Sequence, residues 1–216
     1  MAVPGEVIAP QIGDGDEILR TQISGRYSLD NPGVFAFKRQ LVEAGIDVAF
    51  PVGDEIIEHS CGFAITVPHE AETPFHTTEV QFLREIRANP LQVTYNIWGD
   101  RDGYVGESTG LETAYALLRN KPVVMLREPT SYSSTIAPPI KTLMEKYKGA
   151  VLIEKLDRLS ITDLAERLAE IALTEVDYGL PDEEVDIVMR SALALTKKYK
   201  RDWDQYQNLR RLDAIR

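Results

Sequence analysis

The stretch Leu91–Leu126, LQVTYNIWGDRDGYVGESTGLETAYALLRNKPVVML, decides the fold. Leu91–Ile97 is a short apolar run carrying β-branched and aromatic residues, the composition of a buried strand. Gly99, Gly103, Gly106 and Gly110 punctuate the next segment, so the backbone there can turn tightly and approach a ligand. Thr109–Leu118 predicts a helix with Leu111, Ala114, Tyr115 and Leu118 on one face, and Pro122 opens a second strand at Val123–Leu126. In an open α/β sheet, ligands bind beyond the carboxyl ends of the strands, where such loops lie. Glu107 and Glu112 are therefore carboxylates beside the expected ligand crevice.

Outward from this unit the chain repeats the same alternation. Glu17–Ser24 reads as the first strand and Ser24-Gly25-Arg26-Tyr27 as the loop at its end. Pro32 sits near a helix start, its preferred place, and Gly45 stops that helix. Phe35, Ala36, Leu41, Val42 and Ala44 are its expected buried side, and Asp47–Pro51 is the second strand. A strand–helix–strand of this length implies parallel pairing with a right-handed crossover. Between residues 53 and 75 the expectation is a helical turn at Asp54–His59, an extra strand at Gly62–Val67 and an irregular loop from Pro68 to Pro74. Loops of this length in a domain often form lids or binding loops. Thr77–Arg87 is a helix, apolar at Val80, Phe82, Leu83 and Ile86.

Beyond the central unit come a serine- and proline-rich loop (Glu128–Pro139), a helix (Ile140–Lys148), a fifth strand (Ala150–Ile153) and a helix (Ile161–Leu173). The expected architecture is an α/β fold. It has a flavodoxin- or Rossmann-like parallel five-stranded sheet with helices on both faces, spanning residues 17–178. Residues 1–16 read as a flexible arm. Residues 181–216 read as one long amphipathic helix. Its stripe is Val185, Val188, Ala192, Leu195 and Tyr199, resuming at Tyr206 and Leu209 after a break at Asp202. That stripe packs either on its own domain or on a second subunit.

Composition narrows the function classes. With 216 residues, 44% apolar and 27% charged, the chain fits one soluble domain with appendages. A net charge of −10 argues against broad duplex nucleic-acid binding, which relies on Lys and Arg against phosphate. No apolar run approaches the ~18 residues of a membrane span, and Met1–Asp16 lacks a signal-peptide pattern. Cys61 is the sole cysteine, so neither an intrachain disulfide nor a cysteine-based zinc site can form. The expected compartment is cytoplasmic. His59, His69 and His76 have no tight metal-ligand spacing, and neither a metal nor a cofactor is expected.

The segment GESTGLETAYALLRNKPVV resembles the active-site helix of the nucleoside 2-deoxyribosyltransferases and the related nucleotide N-glycoside hydrolases, matching at Gly110, Glu112, Ala114, Tyr115, Ala116, Lys121 and Pro122. TQISGRYSLDNPGVFAFKRQLVEAGIDVAFP resembles that family's first strand, substrate loop, first helix and second strand. The resemblance covers about Ile18 to Ile153. It implies cleavage or transfer at the N-glycosidic bond of a (deoxy)nucleoside or nucleoside 5′-monophosphate.

Breaking that bond builds positive charge on the anomeric carbon and negative charge on the base. A carboxylate against the sugar and a way to protonate or hold the base are what the chemistry needs. The resemblance assigns the nucleophile to Glu112; read alone, Glu112 is an ordinary glutamate near a helix N-terminus. In the family's loop a serine holds a monophosphate or an aspartate takes its place. Here Gly106 is followed by Glu107 and Ser108, so Glu107 replaces the acidic group or Ser108 holds a phosphate. Ser108 and Thr109 also read as helix N-caps. Asn96 stands roughly where the family has an aspartate; it can hydrogen-bond a base but cannot act as a general acid.

Gly25, Arg26 and Tyr27 occupy the first loop, with Arg26 suited to a phosphate or a sugar hydroxyl and Tyr27, which resembles an aromatic hydroxyl of the family's first loop, a catalytic candidate beside Glu112 and Glu107. Trp98 is a candidate for stacking on a base. Asp100 is a candidate for binding or a turn residue. Family sites are commonly completed by a neighbouring subunit, so a homodimer or higher oligomer is expected. The competing expectation is a non-catalytic nucleotide sensor or assembly module on the same fold.

Overall fold

The computed structural model describes residues 18–60 and 63–213; the expected arm at 1–16 lies outside the described residues. The chain runs β1 (Arg20–Thr21), β2 (Ile23–Gly25), α1 (Gly33–Glu43), β3 (Asp47–Val48), β4 (Glu58–Ser60), β5 (Phe63–Ile65) and α2 (Phe75–Ala88). It continues through β6 (Gln92–Tyr95), β7 (Tyr104–Val105), α3 (Glu107–Leu118), β8 (Val123–Met125), β9 (Ser131–Tyr132), α4 (Pro138–Lys146), β10 (Leu152–Ile153), α5 (Ile161–Ala172) and α6 (Asp182–Asp213).

β10, β8, β6 and β2 form a four-stranded parallel sheet in that order. β1 pairs in parallel with β3, Arg20 opposite Asp47 and Thr21 opposite Val48. β1 and β2 are separated only by Gln22. Side chains alternate across a strand, and β8 shows what each face touches. Val124 packs with Phe35, Phe37 and Leu41 of α1 and Leu164, Leu168 and Ile171 of α5. Its neighbours Val123 and Met125 pack with residues of α2, α3, α4 and α6. Continuous burial on both faces explains the apolar run of β8, which shows no alternation.

Several boundaries differ from the sequence expectation, each for a physical reason. In α1 the buried side is Val34, Phe35, Phe37, Lys38, Leu41 and Ala44, while Ala36 and Val42 face out. The apolar stripe is therefore rotated, and it takes in a lysine. Lys38 Nζ donates to the carbonyls of Val52 at 2.8 Å and Gly53 at 3.0 Å and to the Asp54 carboxylate at 2.9 Å. With those groups tied to Lys38, and Ile57 N bonded to Ile65 O at 2.9 Å, Asp54–His59 does not form a helical turn. Glu58–Ser60 instead pairs antiparallel with Phe63–Ile65 as a hairpin.

α6 is continuous through Asp202, with no Gly or Pro there to interrupt it. Its buried stripe runs Val188, Ala192, Leu195 and then Tyr206, with Tyr199 and Trp203 partly buried; Leu209 is exposed. α6 packs on α2, α3 and α4 of its own chain. Phe63 of the hairpin stacks on Phe75 with ring centroids 4.5 Å apart, and Phe75 meets Trp203 and Tyr206 edge-on and tilted. This aromatic cluster fastens the hairpin to α2 and α6. Among the described residues, no helix is long and apolar enough to cross a membrane.

Candidate functional site

A cavity of about 350 Å³ opens beyond the end of β2. That size is within the ordinary range for small-molecule sites. The cavity is lined by Gly25 at the end of β2, Arg26 and Tyr27 after it, Phe50 and Pro51 after β3, and the start of α3. Its walls come from α2, the hairpin and Lys198, Tyr199 and Asp202 of α6. Gly25 is required where it is: a Cβ there would lie 2.6 Å from the Tyr95 carbonyl oxygen.

Glu112 faces this cavity and is 5% exposed. Burial pushes its carboxyl up to about 7, against the pull of the Ser24 hydroxyl, whose bond favours the charged form. Glu79 of α2 lines the same cavity at 4% exposure, and its Oε1 has no hydrogen-bond partner. Burial first, then the charge of Glu112, drives Glu79 well above the usual carboxylate range. Two buried carboxylates that feel each other hold protons together in a way that solvated ones do not. A third, Glu70, is bound by its own loop: Oε2 accepts from Thr66 N at 2.6 Å, Thr66 Oγ1 at 3.0 Å and Val67 N at 3.3 Å.

The Ser24 hydroxyl is itself held in a chain of buried amides. Asn89 Nδ2 donates to Gln22 Oε1, Gln22 Nε2 to Gln92 Oε1, and Gln92 Nε2 to Ser24 Oγ. Gln22 and Ser24 flank Ile23, which is in register with Val93 beside Gln92. Gln22, Gln92 and Ser24 therefore emerge on one face of the β2–β6 pair. Because Ser24 Oγ accepts from Gln92, its own proton is free for Glu112.

The other expected site residues divide into those at the cavity and those away from it. Gly25, Arg26, Tyr27, Gly106, Glu107, Ser108, Thr109 and Glu112 line it together. Their polar groups are partly engaged already. The Tyr27 hydroxyl donates to the Ile23 carbonyl, and burial with the nearby Glu112 and Glu70 charges raises its pKa well above the usual phenol range. Glu107 is paired with Lys198. Ser108 shares a hydrogen bond with Tyr199, whose pKa is likewise pushed up by burial and then by the Glu79 charge. α3 begins at Glu107, so Ser108 and Thr109 lie in its first turn and do not cap it.

Asn96, Trp98, Asp100 and Gly110, also expected at the site, are not among the residues lining this cavity. Asn96 bonds both ways to the Arg127 backbone, Nδ2 to O at 2.7 Å and Oδ1 from N at 2.9 Å. Trp98 is held between two guanidiniums, Arg26 at 4.0 Å and Arg101 at 4.7 Å from the ring centroid. Asp100 is exposed on a short 3-10 turn. Gly110 is a packing position, where a Cβ would meet Ile136 Cδ1 at 2.3 Å. Among the described residues, no group of His, Cys, Asp and Glu is arranged to hold a metal ion.

Glu79, Tyr199 and the amide chain are not among the sequence-based candidates, yet each leaves a signal. Glu79 sits on the Phe75–Phe82–Ile86 stripe at helical spacing, a carboxylate where the pattern asks for an apolar residue. Tyr199 sits on the stripe of α6. Gln22 and Ser24, with Gln92 and Thr94, place polar residues at every second position of strands buried on both faces, where near-continuous apolar residues are the rule. Comparison of the chain with family models, with curated proteins and with solved structures finds no match, so its chemistry has to be read from this cavity.

Proposed function

We propose that this protein cleaves or transfers at the N-glycosidic bond of a (deoxy)nucleoside or nucleoside 5′-monophosphate, with Glu112 as the nucleophile. One observation carries the reading: a buried carboxylate, 5% exposed, faces a nucleoside-sized cavity beyond parallel strand ends. Its carboxylate attacks the anomeric carbon as the bond to the base breaks, leaving a glycosyl ester. Water, or a second base, then displaces Glu112. Ser24 favours the ionised form that attack requires. The motif resemblance around Gly110, Glu112 and Ala114 supports the same assignment.

The finer fold belongs to this reading. Joining β1 and β2 into one strand gives the order β3, β1/β2, β6, β8, β10, a flavodoxin-like five-stranded sheet. The hydrogen bonds Ala49 N to Thr21 O at 2.8 Å and Ile23 N to Phe50 O at 2.9 Å support the continuity.

A second reading, a nucleotide sensor without catalysis, draws on Asn96 and Glu107, whose polar groups are tied to Arg127 and Lys198. Incubation with a panel of nucleosides and 5′-monophosphates, with free base followed by chromatography, separates the two. The expected outcome is base release that falls at least ~10⁴-fold in Glu112→Gln. No release from any of them, or release at the wild-type rate by the variant, leaves the sensor. Self-association through the exposed Met189 and Leu193 of α6 is part of the same proposal, and light scattering tests it.

A further inference from the structure

We propose that Glu79 is the general acid that protonates the departing base, working as a pair with Glu112 in the same cavity. This deepens the N-glycosidic reading and rests on it. The case begins with what else in the cavity has a proton to give. The Tyr27 hydroxyl donates to the Ile23 carbonyl, and that of Tyr199 is bonded to Ser108. Glu107 is neutralised by Lys198, and Glu70 accepts three bonds from its own loop. Asn96, at the position expected of a proton-donating aspartate, lies outside the cavity and is a carboxamide. His59 is exposed and Tyr104 and Asp202 are half-exposed at the rim, whereas Glu79 is buried, faces the cavity, and has an Oε1 without a hydrogen-bond partner among the described residues.

The two carboxyls are also made unequal by their surroundings. Glu112 has the Ser24 hydroxyl, oriented through Gln92, Gln22 and Asn89, to stabilise its charge. Among the described residues no donor reaches Glu79 Oε1, and the charge on Glu112 opposes a second charge beside it. When the pair holds one proton, that proton resides on Glu79 and the negative charge on Glu112. This is the division of labour the reaction requires.

The atoms balance over two steps. First, a Glu112 oxygen bonds to the anomeric carbon, the carbon–nitrogen bond breaks, and its electron pair takes the Glu79 proton, giving free base, a glycosyl ester and an ionised Glu79. Then ionised Glu79 takes a proton from water as the water oxygen bonds to the anomeric carbon. Glu112 is released, and both carboxyls return to their starting states. The sum is nucleoside plus water to base plus sugar.

Groups facing the pair from the surrounding elements do not supply the same proton inventory. Tyr27, from the loop after β2, and Tyr199, from α6, are both held protonated by burial. Glu107 with Lys198 is an ion pair, and Arg26, Glu70, His59 on β4 and Asp202 on α6 also line the cavity. Activity therefore rises with pH as Glu112 ionises and falls at higher pH as Glu79 loses its proton.

The test compares two purine nucleosides. In 2′-deoxyinosine the base needs a proton to leave; in 7-methyl-2′-deoxyguanosine it is already cationic and leaves neutral. Glu79→Gln is expected to lose about 10²–10⁴-fold on the first. In first-turnover base release it should stay within ~10-fold of wild type on the second, because that release precedes the step in which Glu79 acts as base; this also shows that the variant is folded, and it should lack the alkaline limb of the first-turnover pH profile. Equal loss on both substrates, or a retained alkaline limb, overturns the assignment of Glu79. The underlying reading fails separately, if Glu112→Gln cleaves the methylated substrate as fast as wild type. If wild type releases neither base, both fall.

Discussion

The two faces of the central sheet are built to different rules. On the α1/α5 side, Ile23, Val93 and Val124 meet Phe37, Leu41, Leu164 and Leu168, all essentially without solvent contact. On the α2/α3 side the same strands present Gln22, Ser24, Gln92 and Thr94, and above them lie Glu112 and Glu79. The first face obtains its stability from apolar area removed from water. The second buries hydrogen-bonded amides together with two carboxylates, one of which has an unpartnered oxygen, and burying such groups costs stability. Apolar packing on one side is set against buried charge on the other.

The largest expected separation between the faces comes from Phe37→Ala. It should destabilise the protein by about 3–5 kcal/mol through the cavity it leaves in the apolar face. Denaturant unfolding checks this, and the pH profile of base release should keep its shape. A loss below ~1 kcal/mol would show that this face is not the stabilising one.

Glu112→Gln should move stability the other way, with a pH signature. Folded, Glu112 keeps its proton up to about pH 7, while the unfolded chain releases it near the ordinary 4.5. The native state then binds more protons across that window, so native stability falls as pH rises through it. The variant is expected to be more stable than wild type by about 3 kcal/mol above pH 7, converging with it toward pH 4. Thermal or urea unfolding at the two pH values reads this directly. Wild type more stable at pH 8 would show that the carboxylate is stabilised in place.

The smallest effect sharpens the comparison most. Gln92→Leu leaves the Gln22 amide without its acceptor and should cost about 1–3 kcal/mol. A double-mutant cycle with Gln22→Leu should show coupling of ~0.5 kcal/mol or more, whereas a cycle between Gln92→Leu and Phe37→Ala should be additive. Coupling across the sheet, or none along the amide chain, would erase the distinction between the faces.

The sequence exposes the frame of this molecule more readily than its site. Runs such as Val123–Met125 and stripes such as Leu164–Leu168–Ile171 announce buried strands and an amphipathic helix, because burial leaves a period. The hairpin at 58–65 is half legible: Phe63–Ile65 has strand composition, but its partner is extended because Lys38, far away in sequence, holds the preceding backbone. In the site, Glu112 lies in the motif the sequence singles out, and the fold buries it at the cavity. Glu79 is not legible, since a glutamate on a helix is usually a solvated one, and only its coincidence with the Phe75–Phe82 stripe betrays burial. Trp98 and Asn96 mislead for the opposite reason. Both have the chemistry of ligand contacts, but nearby Arg26, Arg101 and Arg127 engage them first.

The ladder of amides from Asn89 to Ser24 also acts as a gauge of alignment. Strand side chains alternate, so a slip of one residue between β2 and β6 would turn Ser24 toward the oily side and offer Glu112 an isoleucine methyl in place of a hydroxyl. A chain that collapsed with this error could look well packed and still be inert. The base release proposed for this protein is thus a test of strand pairing as much as of any single acidic group.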